Sequence, residues 1–496
     1  MKQKLLTNAE IIGILLMGFV ALITGGWSVV ILVVLLGALV GVNVPAQPGA
    51  WRRAVLPGLI SALAVVLVTV FHNTVIAGLP KQEHIPPAST SFLVYLGSLG
   101  LGTAVAVGVA ALRSAPDPRV RRFGLLGLLL VCAVAFPFFE QYAQLFWANA
   151  IIVAMIFALQ ALGLNIVAGY AGMLDLGYVA FFAIGGYTIA MLNSPQFNLQ
   201  ISFWLVIWIA AAAAALFGLL LGAPVIPLRG DYLAIVTLGF GEIVPIVFRN
   251  LNAVKIAEPL SELAALVFGR PELALCLAGC VEPLNITNGT DGINPIGRPV
   301  LPGVAFVTGQ YIPWYFLILV LLAVSVFFIS RLRRSRMGRA WVALREDELA
   351  ANSMGIDLVR TKLAAFMLGA MFSGFAGAFY GSYVSFISPD AFDFSISVIV
   401  LCMVILGGTG SIVGVILGGF IIKVTDLLLL DKVQVVMAGV LQATLFQGIE
   451  SQGLRNFLES LFNASQYKLL LFGIILVTMM QFRPQGLVPS TTERGH

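Results

Sequence analysis

The stretch SRLRRSRMGRAWVALREDELAANSMGIDLVRT (Ser330–Thr361) is a charged island between two long apolar runs. Arg331, Arg333, Arg334, Arg336, Arg339 and Arg345 fall within fifteen residues of a 496-residue chain in which only 10% of residues are charged. Basic clusters beside membrane spans mark the cytoplasmic side. Ala340–Ala351 contains neither Gly nor Pro and is made of good helix formers, which predicts a helix there, with Gly355 as its stop. Glu346, Asp347 and Glu348 give this element an acidic tip, a docking surface for a soluble partner. The plainer reading is a solvated amphipathic connector.

The rest of the chain supplies the membrane that this island implies. Hydrophobic residues make up 59% of it, and mean hydropathy is +1.00. A soluble domain carries roughly 25% charged residues, far more than here. Apolar runs near 9–43, 54–76, 92–112, 123–139, 147–168, 178–193, 203–222, 232–248, 312–330, 363–384, 394–422 and 467–482 include many long enough to cross a bilayer, which takes about 20 residues. Segments of alternating polarity, the mark of a membrane barrel, are missing. The fold class is an all-α polytopic membrane protein. The net charge of +5 comes from arginines beside spans, so the basic excess sets orientation in the lipid bilayer and implies no nucleic-acid partner. The N-terminal apolar run is too long for a cleavable signal, whose apolar region spans about 7–15 residues, and reads as a retained anchor.

Basic residues give an alternating topology. Arg113–Arg122, Gly169–Gly177, Arg229, the Arg331 cluster and Arg483–Gly486 are expected inside; Phe138–Gln144, Asn193–Gln200 and the loop 251–311 are expected outside. Lys2 and Lys4 before the first run, and Arg52 and Arg53 after it, make 9–43 either a hairpin divided at Gly25-Gly26 or one tilted helix. The run 394–422 holds GGTGS (Gly407–Ser411) at its middle. It is either one long helix, with 433–449 adding a pass, or two half-helices meeting at the glycines. Irregular backbone at that depth needs protein or a water-filled cavity around it. Residues 1–122 read as an N-terminal membrane-spanning extension ending in the connector Arg113–Arg122, and 123–490 as the core, with outer loop 251–311 and cytoplasmic loop 331–361. Cys276 and Cys280, in the outer loop, are either an exterior disulfide or two free thiols; no further Cys or His lies close enough to make a metal site.

Three further segments could carry chemistry. In GYAGMLDLGYVAFFAIGGYTIAML (Gly169–Leu192), glycines permit close helix approach or a break, and Asp175 lies at the turn between two apolar runs. A carboxylate at a span's centre costs about 2.5–3.5 kcal/mol on insertion scales, so Asp175 marks either a translocation path or inner gate, or a cap on the following helix. In DYLAIVTLGFGEIVPIVF (Asp231–Phe248), Glu242 is flanked by Gly239, Gly241 and Pro245, with Thr237 nearby. These are path candidates; the alternative is a protonated Glu242 bonded to a neighbouring helix. NITNGTDGINPIGRP (Asn285–Pro299) is rich in turn formers and predicts a tightly folded outer loop able to contact an exterior partner. The chain has no G-x-x-x-x-G-K-[ST] to cradle ATP and no G-x-S-x-G or H-E-x-x-H, so neither enzymatic activity nor a bound cofactor is expected.

These blocks resemble the permeases of branched-chain amino acid ABC importers, of the LivM type. GYAGMLDLGYVAFFAIGGYTIAML is similar to one block of that family and LRGDYLAIVTLGFGEI (Leu228–Ile243) to a second. SRMGRAWVALREDELAANSMGID (Ser335–Asp357) is similar to its cytoplasmic coupling loop, and VILGGTGSIVGVILGG and FRPQGL complete the set in family order. Urea-type permeases share the coupling loop and the GGxGS block; the form of Leu174–Tyr178 points to the amino-acid branch. Residues 1–120 and 254–284 are longer than the family pattern. The resemblance implies a multi-span helical bundle of the ABC importer permease type in the bacterial inner membrane. It implies two ABC ATPase subunits gripping Arg345, Glu346, Asp347, Glu348 and Gly355, a second permease subunit in a heterodimer, and a periplasmic or surface substrate-binding protein. Asp175, Thr237, Gly239, Gly241 and Glu242 would then lie near the path of a branched-chain amino acid. Urea, short amides or other amino acids are alternative substrates, and an ion-coupled carrier is an alternative class.

Overall fold

The structure, a computed structural model, describes residues 28–43, 50–75, 92–114, 117–143, 147–197, 199–225, 231–251, 285–307, 309–430, 467–482 and 485–488. Among these, seven helices are long and apolar enough to cross a membrane. The chain divides into two compact units, Met1–Ala148 with Thr425–Lys468, and Asn149–Val424 with Leu469–His496.

The first unit contains α1 (Ser28–Asn43), α2 (Ala50–Val75), α3 (Phe92–Arg113) and α4 (Pro118–Ala143). Leu32, Val33, Leu36, Ala62, Val65 and Val66 form its core. The expected boundary at residue 122 falls inside α4. α4 also runs on to Ala143, through most of the segment expected outside at 138–144. Gly25-Gly26, the stretch 433–449, and Cys276 and Cys280 lie outside the described residues.

The second unit opens with α5 (Ala148–Leu164), which passes into a π-helical turn, Asn165–Tyr170. A non-helical stretch, 171–178, leads to α6 (Val179–Asn193), α7 (Phe203–Val225) and α8 (Asp231–Asn250). After residues 285–307 come α9 (Tyr311–Arg333), the short α10 (Arg336–Glu346) and α11 (Glu348–Ser353), and α12 (Leu358–Val384). A 3-10 turn, Pro389–Phe392, precedes α13 (Phe394–Gly407) and α14 (Ile412–Val424); α15 is Lys468–Phe482.

α12 is the centre, packed against α6 and α7 along its length. Small residues make this possible, as lipid-embedded helices gain most from close backbone approach. A Cβ on Gly185 would stand 2.7 Å from the Gly374 Cα, and one on Gly374 would stand 2.6 Å from the Ala214 Cβ. Phe182 fills the space beside this contact, with ring centroids 5.8 Å from Phe157, 5.4 Å from Tyr380 and 5.6 Å from Phe392. α7 and α8 turn large apolar side chains outward, including Trp208 and Tyr232.

Two expectations resolve in particular ways. The run 394–422 is two helices, α13 and α14, folded back on one another, with Gly407 lying against Gly414. Gly408 and Gly410 make the turn at φ +112° and +81°, values that favour glycine. The helix read over Ala340–Ala351 is broken at Asp347 (φ −157°, ψ +112°). The Asp347 carboxylate accepts from the Leu349 and Ala350 N–H groups at 2.8 and 3.0 Å, so it ends α10 and caps α11. Local capping by an Asp side chain overrides the helix propensity of its neighbours.

Candidate functional site

The Gly169–Tyr178, GGTGS and arginine-rich blocks converge at one end of the second unit. The π-helical turn is the meeting point. Asn165, fully buried, accepts from the Gly410 N–H through Oδ1 at 2.8 Å, joining the turn to GGTGS across 245 residues. Four residues on, the Gly169 carbonyl accepts from Arg345 Nη1 at 2.8 Å. Arg345 therefore points inward, with its stem against Gly172, while the Arg333 guanidinium lies 5.6 Å over the Tyr170 ring. π-helical turns within α-helices frequently mark functional sites, because the wider turn frees backbone groups for other partners. On the far side of GGTGS, the Leu406 and Gly407 carbonyls accept from the N–H groups of Leu487 and Val488 at 2.9 and 3.1 Å.

The stretch 171–178 forms the second half of the site. Asp175 is buried; Oδ1 accepts from the Gly177 N–H at 2.9 Å, while Oδ2 has no hydrogen-bond partner. Burial pushes its carboxyl up from 3.8 to about 7, against the opposing pull of the Gly177 N–H and the Thr237 hydroxyl. The capping alternative for Asp175 is not what forms. Tyr178 occupies the cap position of α6 without a side-chain bond, and Ser397 accepts from the Val179 N–H at 3.0 Å. Thr237 accepts from the Leu176 N–H at 3.1 Å. Gly177 and Gly241 are packed backbone to backbone, with the Gly241 Cβ position 2.9 Å from the Gly177 Cα.

Asp175, Thr237 and Gly241 are thus brought together. Glu242 and Gly239 are not. Glu242 is exposed, in company with Ile243 and Ile246, and space around Gly239 is open. The buried face of α8 is the narrow stripe Leu233, Thr237 and Gly241.

In the helix pair α10 and α11, Glu346 is exposed and ends α10. Glu348 pairs with the nearly buried Lys362 of α12 at 2.8 Å. Gly355 adopts φ +83° and closes α11, the Ile356 N–H returning to the Ala351 carbonyl at 3.1 Å. The buried Trp341 donates from Nε1 to the Thr361 carbonyl at 2.8 Å, seating α10 on α12. The element presents outward a mixture of charged residues, among them Arg336, Arg339 and Glu346, and large apolar ones, with Leu349 69% and Met354 84% exposed.

At the opposite end, Asn285–Pro299 is tied down as a compact loop. Thr287 donates to the Phe248 carbonyl at 2.6 Å, Gly297 N–H to Asn193 at 3.1 Å, and Ile296 N–H to Ser385 at 3.2 Å. The loop thereby clasps the outer ends of α6, α8 and α12.

Sequence reading passed over two groups in this unit. Asn165 is a lone amide in an apolar run, and its burial is the signal that flags such residues. Lys423, just past the run 394–422, is buried with its ammonium 4.0 Å over the Phe157 ring.

The structure is a bundle of helices long and apolar enough to cross a membrane, with a short helix pair bonded to the π-helical turn, and the class to which it belongs follows from its relatives. The sequence matches, over residues 146–480, the family described as branched-chain amino acid transport system / permease component. The chain belongs to that family. It is 37% identical over 384 residues to the high-affinity branched-chain amino acid transport system permease protein LivM of Escherichia coli K12, covering 73% of this chain and 74% of that one. The LivM protein of Salmonella typhimurium LT2 is 36% identical over the same shares. The corresponding E. coli protein LivH is 25% identical over 281 residues, 56% of this chain and 83% of that one. No solved structure matches the chain significantly.

Proposed function

We propose that this chain is the membrane-spanning permease subunit of an ATP-driven importer for branched-chain amino acids. It works beside a second permease subunit, with two ATPase subunits on the arginine side and a substrate-binding protein on the outer loop. ATP hydrolysis belongs to the separate ATPases. The observation that supports the reading is the pair of hydrogen bonds, Arg345 to the Gly169 carbonyl and the Gly410 N–H to Asn165, joined through the backbone of the π-helical turn. A push on the cytoplasmic helix pair reaches the interior of the permease core through them.

In this reading Arg345, Glu346, Asp347, Glu348 and Gly355 form the coupling element in different ways. Glu346, Leu349 and Met354 face the ATPase, while Asp347, Glu348 and Gly355 shape the helix pair and Arg345 passes its movement inward. Asp175, Thr237 and Gly241 form the inner gate, where 171–178 and α8 meet. Glu242 and Gly239 face outward from α8, towards the second permease subunit and the passage between the two. An aliphatic substrate needs an apolar, weakly binding route, which a largely apolar α8 supplies.

The test is reconstitution. Proteoliposomes holding the full set of subunits should accumulate leucine on addition of ATP, and the lone chain should accumulate none. Met354→Asp or Glu346→Lys, on the exposed face, should abolish ATPase co-purification without loss of folded chain. Uphill uptake by the lone chain would overturn the proposal.

A further inference from the structure

A groove in the second unit has no part in the transport reading above. α9 is fastened to α12 at its outer end directly and at its inner end through α10, which follows it. At the outer end Trp314 meets Phe379 and Tyr383 edge to face, with centroids 5.7 and 5.4 Å apart. At the inner end α10 is seated on α12 through Trp341 and Thr361. Between these fastenings α9 stands off from α7 and α12. The gap is a cavity of about 650 Å³, within the ~300–1,000 Å³ range of small-molecule pockets. Its walls in the middle are apolar but for Ser325, with Val320, Val324 and Phe328 of α9 facing Met371 and Phe375 of α12 and Trp208 of α7. From Leu317 to Arg331 it follows α9 for about 21 Å at 1.5 Å per residue, more than the ~15 Å of one leaflet's hydrocarbon.

Apart from the buried Ser325 hydroxyl and the tryptophan N–H groups, the polar chemistry of the lining, and its only charged side chain, lies at one end. Arg331 and Ser335 lie at the cytoplasmic mouth. Arg331 is exposed, rests 5.4 Å over the Phe327 ring, and has no carboxylate partner among the described residues. Arg334 and Arg336 are exposed beside it. A slot of hydrocarbon character that ends in unneutralised positive charge is complementary to one kind of membrane component. Basic pockets between membrane helices on the cytoplasmic side hold anionic lipid headgroups.

We propose that this groove is a binding site for an anionic phospholipid of the cytoplasmic leaflet. The phosphate sits at Arg331 and the acyl chains run between α9 and α12, along Val324, Phe328, Met371 and Phe375. The lipid fills the space left between the two fastenings and steadies α9, the helix that leads into the cytoplasmic pair. The inference rests on the membrane orientation and is independent of the transported substrate.

The test uses the full chain, purified in mild detergent and exchanged into nanodiscs of mixed phosphatidylglycerol and phosphatidylcholine. Retained lipid is then counted by native mass spectrometry after dilution. The wild-type chain should retain phosphatidylglycerol in preference to phosphatidylcholine. Arg331→Ala should lower that preference about fivefold, the effect of one basic residue at a membrane surface, and Arg331→Lys should restore most of it. Arg360→Ala, which removes an exposed arginine outside the groove, should behave as wild type. Val324→Trp should displace both lipids by filling the slot. Three results would overturn the proposal: equal effects of Arg331→Ala and Arg360→Ala, full retention in the tryptophan variant, or capture of a second polypeptide by a photoreactive residue at position 324. If Val324→Trp does not fold, the three arginine variants still decide.

Discussion

Asn165→Leu keeps the number and branching of side-chain heavy atoms, with bulkier methyl ends, and removes the acceptor for the Gly410 N–H. The bond is 2.8 Å long and fully buried, so the orphaned donor costs about 1–3 kcal/mol. If the π-helical turn carries movement from the cytoplasmic helices to GGTGS, that energy is lost from the link between ATP hydrolysis and transport. A coupling energy of this size corresponds to ~5–150-fold. The quantity to measure is leucine taken up per ATP hydrolysed, in proteoliposomes holding the complete importer. The ratio should fall at least about fivefold. Arg345→Met, which keeps the stem against Gly172 and loses the bond to the Gly169 carbonyl, should lower the same ratio. Because both bonds lie on one path, the double variant should be little worse than the worse single one. Losses that add to within ~0.3–0.5 kcal/mol would mean that the two bonds act separately and would refute the path.

Gly177→Ala forces a Cβ to within 2.8 Å of the Thr237 carbonyl carbon and 3.0 Å of the Gly241 nitrogen, both main-chain atoms that cannot swing aside. Overpacking of this kind costs about 1–3 kcal/mol, and the thermal unfolding midpoint in detergent should fall accordingly. Asp175 holds its proton in the folded chain up to about 7 against an ordinary 3.8. Its contribution to stability is therefore complete below about 3.8 and declines as pH rises through about 7. Unfolding midpoints measured across that interval should drop with pH, and Asp175→Asn should flatten the slope. Trp341→Phe loses the 2.8 Å bond to the Thr361 carbonyl, a loss of about 1 kcal/mol or more. Hydrogen exchange over Arg336–Ser353 should quicken as α10 loosens from α12.

The membrane bundle was legible because it depends on a quantity that a sequence states outright, namely the lengths of its apolar runs. The glycine blocks were legible as places where the backbone must do something unusual. Their mutual contacts were not. Nothing in the spacing of Asn165 and Gly410 predicts that they meet, since a bond over 245 residues depends on the packing of every helix between them. Arg345 stood in a run of arginines whose shared role is orientation, and its inward turn follows from the open carbonyl that a π-helical turn leaves at Gly169. Asp347 read as part of an acidic surface, yet its carboxylate is spent on two N–H groups of its own backbone. Glu242 and Thr237 are close in sequence but fall on opposite faces of α8, and only the packing of Gly241 on Gly177 fixes which face is buried.

The covering of the GGTGS turn by Leu487 and Val488 bears on how the chain is made. Helices enter the bilayer in order from the ribosome, so α13 and α14 are inserted while the carbonyls of Leu406 and Gly407 still lack their partners. Those groups wait, bare, until the strand beyond Gln485 emerges and is laid across them. A polypeptide cut short at Phe482 would hold every described span and still leave its inner end unlatched, a lesion that membrane proteases can sense. Fusion tags placed directly after α15 would have the same consequence, whereas tags placed beyond Val488 would leave the latch intact.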